Sequence, residues 1–228
     1  PNRLEAAKQV AYEFIEGRPN DNIGLTLFGG EAFTQCPMTT DHTALLSTFR
    51  GVTCDLQTNG TISPGTAIGM GLTNAVSRLT TSKAPSKVVI LLTDGANNAG
   101  DISPLTAAEI AKQKGVRVYT IAVGRQGMVR QPVGILPDGS YYYANVKSDM
   151  DPATLKSIAK ATGGLYYAAS SKKELRSIYQ DIDKLERTKL KQHHYNKYYE
   201  AYPSFAWAAL GLLLIEILLR LTWLRRIP

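Results

Sequence analysis

The sequence predicts an α/β fold, a doubly wound and mostly parallel sheet flanked by helices, followed by a C-terminal transmembrane helix. Strand-like and helix-like segments alternate along most of the 228 residues, which is typical of a sheet with helices on both faces. The apolar run 88–92, Val-Val-Ile-Leu-Leu, is expected of a parallel strand buried on both faces. The run 205–224 is long and apolar enough to be a membrane-spanning candidate.

Each element of the first half has a local signal. Residues 3–16 place apolar side chains on one helical stripe, which Gly17 ends. Residues 22–28 alternate like a half-buried strand, and 31–40 form a weaker strand. A helix is predicted over 66–79.

The second half repeats this alternation with clearer punctuation. Proline at a helix start and glycine at a helix end mark most of its boundaries. The elements are a helix opened by Ser103 and Pro104, a strand over 116–123, a hairpin insertion over 136–143, a helix from Asp151 to Gly163, a strand over 165–168 and a last helix with a capping box at Ser171 and Glu174.

Composition excludes several classes of protein. With 44% hydrophobic and 20% charged residues, the chain is neither disordered nor fibrous. Its two cysteines, Cys36 and Cys54, cannot build a disulfide framework or a closed zinc site, and they are expected to be free thiols unless an oxidising compartment pairs them. The net charge of +7 is concentrated in 184–228, around the apolar segment, so nucleic acid is not an expected partner.

The apolar segment has two interpretations. About 20 residues of helix span roughly 30 Å, the thickness of a bilayer core. A buried amphipathic helix is the alternative, since Glu216 and Arg220 are costly inside a membrane. Their spacing of four places them on one helical face as a pair, and tyrosines before the segment and Trp223 at its end are typical of membrane interfaces. We therefore predict a transmembrane helix.

A threonine and an aspartate lie where an open parallel sheet binds ligands, beyond the carboxyl ends of its strands. Asp94 follows the strand 88–92, and Thr66 ends the loop 63–66 that enters a helix. Hydroxyl and carboxylate oxygens suit a hard cation such as Mg²⁺. Spacing alone favours the alternative that Thr66 is a helix N-cap and Asp94 a turn residue.

Several strings around these two residues resemble the von Willebrand factor type A (vWA) domain of bacterial BatA-type aerotolerance proteins, a Rossmann-like α/β domain. The resemblance covers essentially the whole chain. The strings are GTAIGMGL over 65–72, TDGANNAG over 93–100, LTAAEIA over 105–111, RPNDNIGL over 18–25 and RRIP over 225–228.

The resemblance implies a metal-ion-dependent adhesion site, in which an Asp-x-Ser-x-Ser strand end, a threonine and an aspartate hold Mg²⁺, Mn²⁺ or Ca²⁺. Thr66 and Asp94 match the threonine and the aspartate. The nearest string to the third element, 101–105, has Leu105 where the second serine belongs. We therefore expect an N-terminally truncated sequence without its first, central strand, in which metal binding is weak or absent. Pro64 stands where family members often have an acidic residue.

The resemblance also sets the expected domain organisation. Residues 1–188 are expected to be the vWA domain without its first strand, 189–203 a juxtamembrane tether, 204–224 the transmembrane helix and 225–228 a basic tail. The protein is expected in the bacterial inner membrane, with at least one pass and with the vWA domain in the periplasm.

The function expected from this resemblance is non-enzymatic. A cation at Thr66 and Asp94 would bind an acidic side chain of a protein partner, and other Bat-type membrane proteins and a MoxR-type AAA+ ATPase are the expected partners, beside the lipid bilayer. One alternative is a metal-independent scaffold of the same fold. Another is an α/β enzyme that uses Asp94, although the chain has no phosphate-binding loop and only three histidines.

Overall fold

A computed structural model describes six segments of the chain, which fall into two compact units, 1–190 and 191–228. The described segments are 3–53, 62–124, 128–135, 141–147, 150–193 and 202–222.

Helices and strands alternate through the first unit. The helices are α1 (Arg3–Glu16), α2 (His42–Arg50), α3 (Ile68–Thr80), α4 (Pro104–Gln113), α5 (Pro152–Thr162) and α6 (Lys172–His193), and α7 (Tyr202–Thr222) lies in the second unit. The strands are β1 (Ile23–Phe28), β2 (Ala32–Thr39), β3 (Val88–Thr93), β4 (Arg117–Val123), β5 (Met128–Ile135), β6 (Tyr141–Lys147) and β7 (Tyr166–Ala169).

The described strands form three separate sheets. β3, β4 and β7 pair in parallel in the order β3-β4-β7, whereas β1 pairs with β2 and β5 with β6, both antiparallel. In each antiparallel pair the two strands are consecutive in the chain and joined by a short connection, as in a hairpin. Strands therefore flank the predicted hairpin insertion, while its centre, 136–140, lies outside the described residues.

Helices cover both faces of the parallel sheet, so the predicted α/β architecture is confirmed. Along β4, Val118 and Ala122 pack with α3, α4 and α5, while Tyr119 and Ile121 pack with α1 and α6. This alternation follows the two-residue period of a strand, which points successive side chains to opposite faces. A third, smaller apolar cluster joins α1, α2, β1 and β2 around the buried Leu45.

β3 differs from the expectation of full burial. Four of its six residues, Val88, Val89, Ile90 and Leu92, are only half-buried, whereas the five central residues of β4 are buried. Among the described strands, β3 pairs with β4 alone. A strand with one open edge keeps part of its apolar surface exposed, however apolar its sequence is.

The prediction of a transmembrane helix over 204–224 is wrong. None of the helices in the described part of the chain is both long enough and apolar enough to cross a bilayer. Glu216 and Arg220 interrupt the segment, with 3.9 Å between Arg220 Nε and Glu216 Oε1. The unbroken apolar run 205–215 rises only about 16 Å as a helix, against about 30 Å for a bilayer core.

A buried carboxylate joins α6 to the parallel sheet. Glu186 is 3% exposed, and it accepts hydrogen bonds from Arg117 Nη1 and the Tyr119 hydroxyl at 2.5 Å and from Ser86 Oγ at 3.1 Å. Burial alone would raise the pKa of Glu186, but these hydrogen bonds and the charge of Arg117 outweigh it and hold the pKa below the ordinary 4.5. Burial, and then Glu186 itself, raises the pKa of the Tyr119 hydroxyl above its ordinary value.

The lowered pKa predicts an acid-sensitive contribution of Glu186 to stability. Ionised Glu186 stabilises the fold fully above its unfolded-state pKa of 4.5, and the stabilisation is lost as the pH falls through the lower folded-state value. Urea unfolding at pH 7 and at about pH 3 should therefore show a smaller acid-induced loss in Glu186→Gln than in the wild type. An equal loss in both proteins would contradict the assignment.

Candidate functional site

The fold brings Thr66 and Asp94 to the carboxyl end of the parallel sheet. Asp94 directly follows β3, and its side chain is exposed. Thr66 lies two residues before α3. A Cβ atom placed on Gly95 would lie 3.3 Å from the Oγ1 of Thr66, so the threonine hydroxyl lies against the loop that carries Asp94.

The structure argues against the alternative in which Thr66 caps a helix. The N-cap of α3 is Ala67, which makes no side-chain capping hydrogen bond. The first backbone N–H groups of α3, those of Ile68 and Gly69, donate instead to Oδ1 of Asn97, at 2.8 and 3.4 Å. The side-chain amide of Asn97, from another loop, thus caps α3 in place of a hydroxyl. The Thr66 hydroxyl is not needed as the cap.

Two hydrogen bonds of the Thr93 side chain close the turn after β3. Thr93, which is buried, closes it: Thr93 Oγ1 accepts from Gly95 N–H at 3.3 Å and donates to the Gly95 carbonyl at 3.2 Å. The exposed Asp94 side chain thus lies at the edge of the sheet, next to a turn that Thr93 closes.

Close backbone approaches hold the loop before α3 in place. Gly65 has φ +122°, a conformation that favours glycine, and a Cβ at this position would lie 2.9 Å from Ala99 Cβ. The N–H of Ala67 donates to the Gly29 carbonyl at 2.6 Å, and that of Gly30 donates to the Ser63 carbonyl at 2.8 Å. The loop is therefore tied to the turn between β1 and β2 as well as to the loop after β3.

An acidic residue reaches this edge from a part of the chain that the sequence did not indicate. The Ser63 hydroxyl donates to Oε1 of Glu31 at 2.5 Å, next to Pro64. Pro64 stands where the resemblance leads us to expect an acidic residue, and the turn between β1 and β2 brings a carboxylate to its neighbour. No local signal identifies Glu31, because its partner lies far away in the sequence.

Thr66 and Asp94 are the two candidate metal ligands among the described residues. The described segments contain no group of three or more His, Cys, Asp or Glu side chains that could hold an ion. Thr66 and Asp94 are a hydroxyl and a carboxylate, which fit the oxygen preference of Mg²⁺, an ion that retains several waters in proteins. Cys36 is a buried free thiol, and Cys54 lies outside the described residues.

The fold and this pair define a class of protein, an α/β domain with oxygen-bearing side chains at the carboxyl edge of a parallel sheet. The model of the von Willebrand factor type A domain matches residues 1–181. The chain belongs to the von Willebrand factor type A family.

Relatives extend this assignment. A protein of Borreliella burgdorferi, named only as uncharacterized, is 31% identical over 228 residues, which are 99% of this chain and 64% of that protein. A UPF0353 protein of Nocardia farcinica is 30% identical over 200 residues, 80% of this chain and 56% of that protein. The chain thus spans less than two thirds of the length of these relatives.

Solved structures agree with the BatA-type resemblance. BatB of Bacteroides thetaiotaomicron has 27% identity and a TM-score of 0.66, with 82% of this chain and 90% of that one covered. An aerotolerance-related membrane protein of Bacteroides fragilis has 26% identity and a TM-score of 0.63, with 81% and 88% covered. A mussel byssus protein, PTMP1, whose adhesion-site motif is occupied by zinc, has 25% identity and a TM-score of 0.57, with 80% and 40% covered.

Proposed function

We propose that this chain is a membrane-associated vWA domain that binds a protein partner through a divalent cation held by Thr66 and Asp94. The observation that carries the proposal is the position of the Thr66 hydroxyl beside Gly95, where an added Cβ would lie 3.3 Å from Oγ1, so that a second oxygen stands next to the loop of Asp94. Both residues lie at the edge where parallel sheets bind ligands.

The two side chains would contribute different ligand atoms to the cation. The Asp94 carboxylate supplies negative charge and the Thr66 hydroxyl a neutral oxygen, a combination that suits Mg²⁺, Mn²⁺ or Ca²⁺. A bound cation would supply a positive charge with coordination positions open to a carboxylate of the partner. The role of the chain is then binding, and no catalytic step is assigned to it.

Relatives support this proposal at the level of chemistry and location. The zinc in the adhesion-site motif of mussel PTMP1 shows that this fold holds a divalent cation in another protein. The Bacteroides fragilis relative is a membrane protein, which supports association of this chain with the bacterial cell membrane. We propose other Bat-type membrane proteins and a MoxR-type AAA+ ATPase as the partners, in an envelope or stress-tolerance complex.

Asp94→Ala is expected to weaken Mn²⁺ binding at least about tenfold, because a full negative charge next to the ion is removed. Calorimetric titration of the 228-residue chain measures this. Asp101→Ala is the matched control, since it removes an exposed aspartate seven residues away, from the segment between β3 and α4. Equal weakening in both variants would mean that the overall negative charge of this surface, and not the proposed pair, attracts the ion.

One observation favours a second function, a metal-independent scaffold of the same fold. The described residues contain no group of three or more His, Cys, Asp or Glu side chains that could hold an ion, and the Asp-x-Ser-x-Ser string does not occur in the sequence. Binding of a purified partner that is unchanged by EDTA and by Asp94→Ala would establish the scaffold. Binding that needs Mg²⁺ and fails in Asp94→Ala would establish the cation bridge.

A further inference from the structure

We infer that Asn97 and Asn98 are the positioning residues of the candidate cation site, and that they set the place of Thr66 relative to Asp94. This inference rests on the proposed function. Thr66 and Asp94 lie on different loops. The distance between their oxygens therefore depends on whatever ties the two loops together.

Asn98 forms hydrogen bonds with both backbone polar groups of Thr66. Thr66 N–H donates to Oδ1 of Asn98 at 2.7 Å, and Asn98 N–H donates in return to the Thr66 carbonyl at 3.1 Å. The N–H of Ala99 donates to the same carbonyl at 3.3 Å. With both its N–H and its carbonyl engaged by one loop, the Thr66 peptide has little freedom to move away from that loop.

Asn97 adds a second link between the two loops, at the start of α3. Its Oδ1 accepts from the N–H groups of Ile68 and Gly69, which have no partner inside α3 because they begin the helix. Asn97 therefore anchors the start of α3 to the loop of Asp94. Because this amide is the cap, Thr66 can present its hydroxyl to an ion without leaving the helix uncapped.

Asparagine supplies this tie without adding charge to the site. An aspartate at position 97 or 98 could accept the same hydrogen bonds, so the tie itself requires only a side-chain oxygen. Aspartate would, however, add negative charge beside Asp94. Asparagine thus holds the loops together and leaves Asp94 as the charged group of the pair.

The test compares four variants of the 228-residue chain: Asn97→Ala, Asn98→Ala, Asn98→Asp and Asn74→Ala. Asn74 is a matched control, because its Oδ1 also joins two elements: it accepts from Thr34 Oγ1 at 2.9 Å, linking α3 to β2. Two quantities are measured: the Mn²⁺ dissociation constant by calorimetry, and hydrogen exchange of the Thr66 and Ile68 amides by NMR in EDTA.

Loss of either positioning amide is expected to weaken Mn²⁺ binding about 10- to 100-fold, the range found when a residue that orients a metal ligand is removed. Thr66 should lose exchange protection in Asn98→Ala and regain it in Asn98→Asp, while Ile68 loses it in Asn97→Ala. Asn74→Ala should leave both quantities unchanged, even if its melting temperature falls.

The exchange measurement keeps this inference separate from the proposed function. If the wild type binds no Mn²⁺, the cation proposal fails. The positioning inference then still holds if Thr66 and Ile68 lose protection in the Asn97 and Asn98 variants alone. Unchanged protection in those variants, or the same change in Asn74→Ala, would overturn it.

Discussion

Replacing Glu186 with alanine is expected to lower the free energy of unfolding by about 3–5 kcal/mol, the range for breaking a buried ion pair. Its carboxylate accepts hydrogen bonds from Arg117, Tyr119 and Ser86, which belong to β4 and to the segment before β3. Without Glu186, the half-buried Arg117 guanidinium keeps its charge and loses its ion-pair partner, and the buried Tyr119 hydroxyl loses its acceptor. Both losses destabilise the folded state more than the removed contacts alone.

Urea unfolding at pH 7 measures the effect. Glu109→Ala is the control, because Glu109 is an exposed glutamate on α4, and an exposed substitution should change the free energy by no more than about 0.5 kcal/mol. A Glu186→Ala variant as stable as this control would show that the network does not hold α6 to the sheet.

The second large effect is expected from Gly69→Ala. A Cβ at position 69 would lie 1.9 Å from the backbone oxygen of Ile102. Either α3 or the segment between β3 and α4, which contains Ile102, would have to move. Overpacking typically costs about 1–3 kcal/mol and occasionally more, and the short distance places this variant at the upper end. The gain in helix propensity from glycine to alanine, about 1 kcal/mol, offsets only part of the loss.

Gly51→Ala is the matched control for this prediction. A Cβ on Gly51 would meet only the Thr48 carbonyl, at 3.5 Å, and Gly51 has φ −69°, which alanine adopts readily. Thermal unfolding of the two variants should therefore diverge, with a clear fall in melting temperature for Gly69→Ala alone. Equal melting temperatures would contradict the close approach of α3 and the segment that carries Ile102.

The two predictions test different parts of the molecule. Glu186 lies where α6 meets the start of β4, whereas Gly69 lies in the first turn of α3, next to the loops of the candidate site. Gly69→Ala should therefore also weaken Mn²⁺ binding, since α3 follows directly from Thr66. Glu186→Ala should leave it unchanged in the folded protein, a difference that calorimetry below the melting temperature resolves.

Most of the helices and strands could be predicted from local patterns. Apolar periodicity and end signals place α3, α4 and α5 within about two residues of their observed ends, because those signals act over one or two turns. α2 was not predicted, although Asp41, whose side chain accepts from Ala44 N–H at 3.0 Å, is a recognisable N-cap. The transmembrane prediction treated Glu216 and Arg220 as a tolerated pair within one span, whereas they interrupt the apolar run.

The sequence by itself determined the alternation of strands and helices, the family resemblance and the two candidate ligands, Thr66 and Asp94. Tertiary structure alone decided that β3 is only half-buried, that Glu186 is buried and that Asn97 and Asn98 join the two loops. The physical reason is the range of the interactions. Periodicity and capping act between near neighbours, but a carboxylate on a polar-looking helix or an amide in a loop takes its role from partners about 30 to 100 residues away, which only folding brings within hydrogen-bond distance.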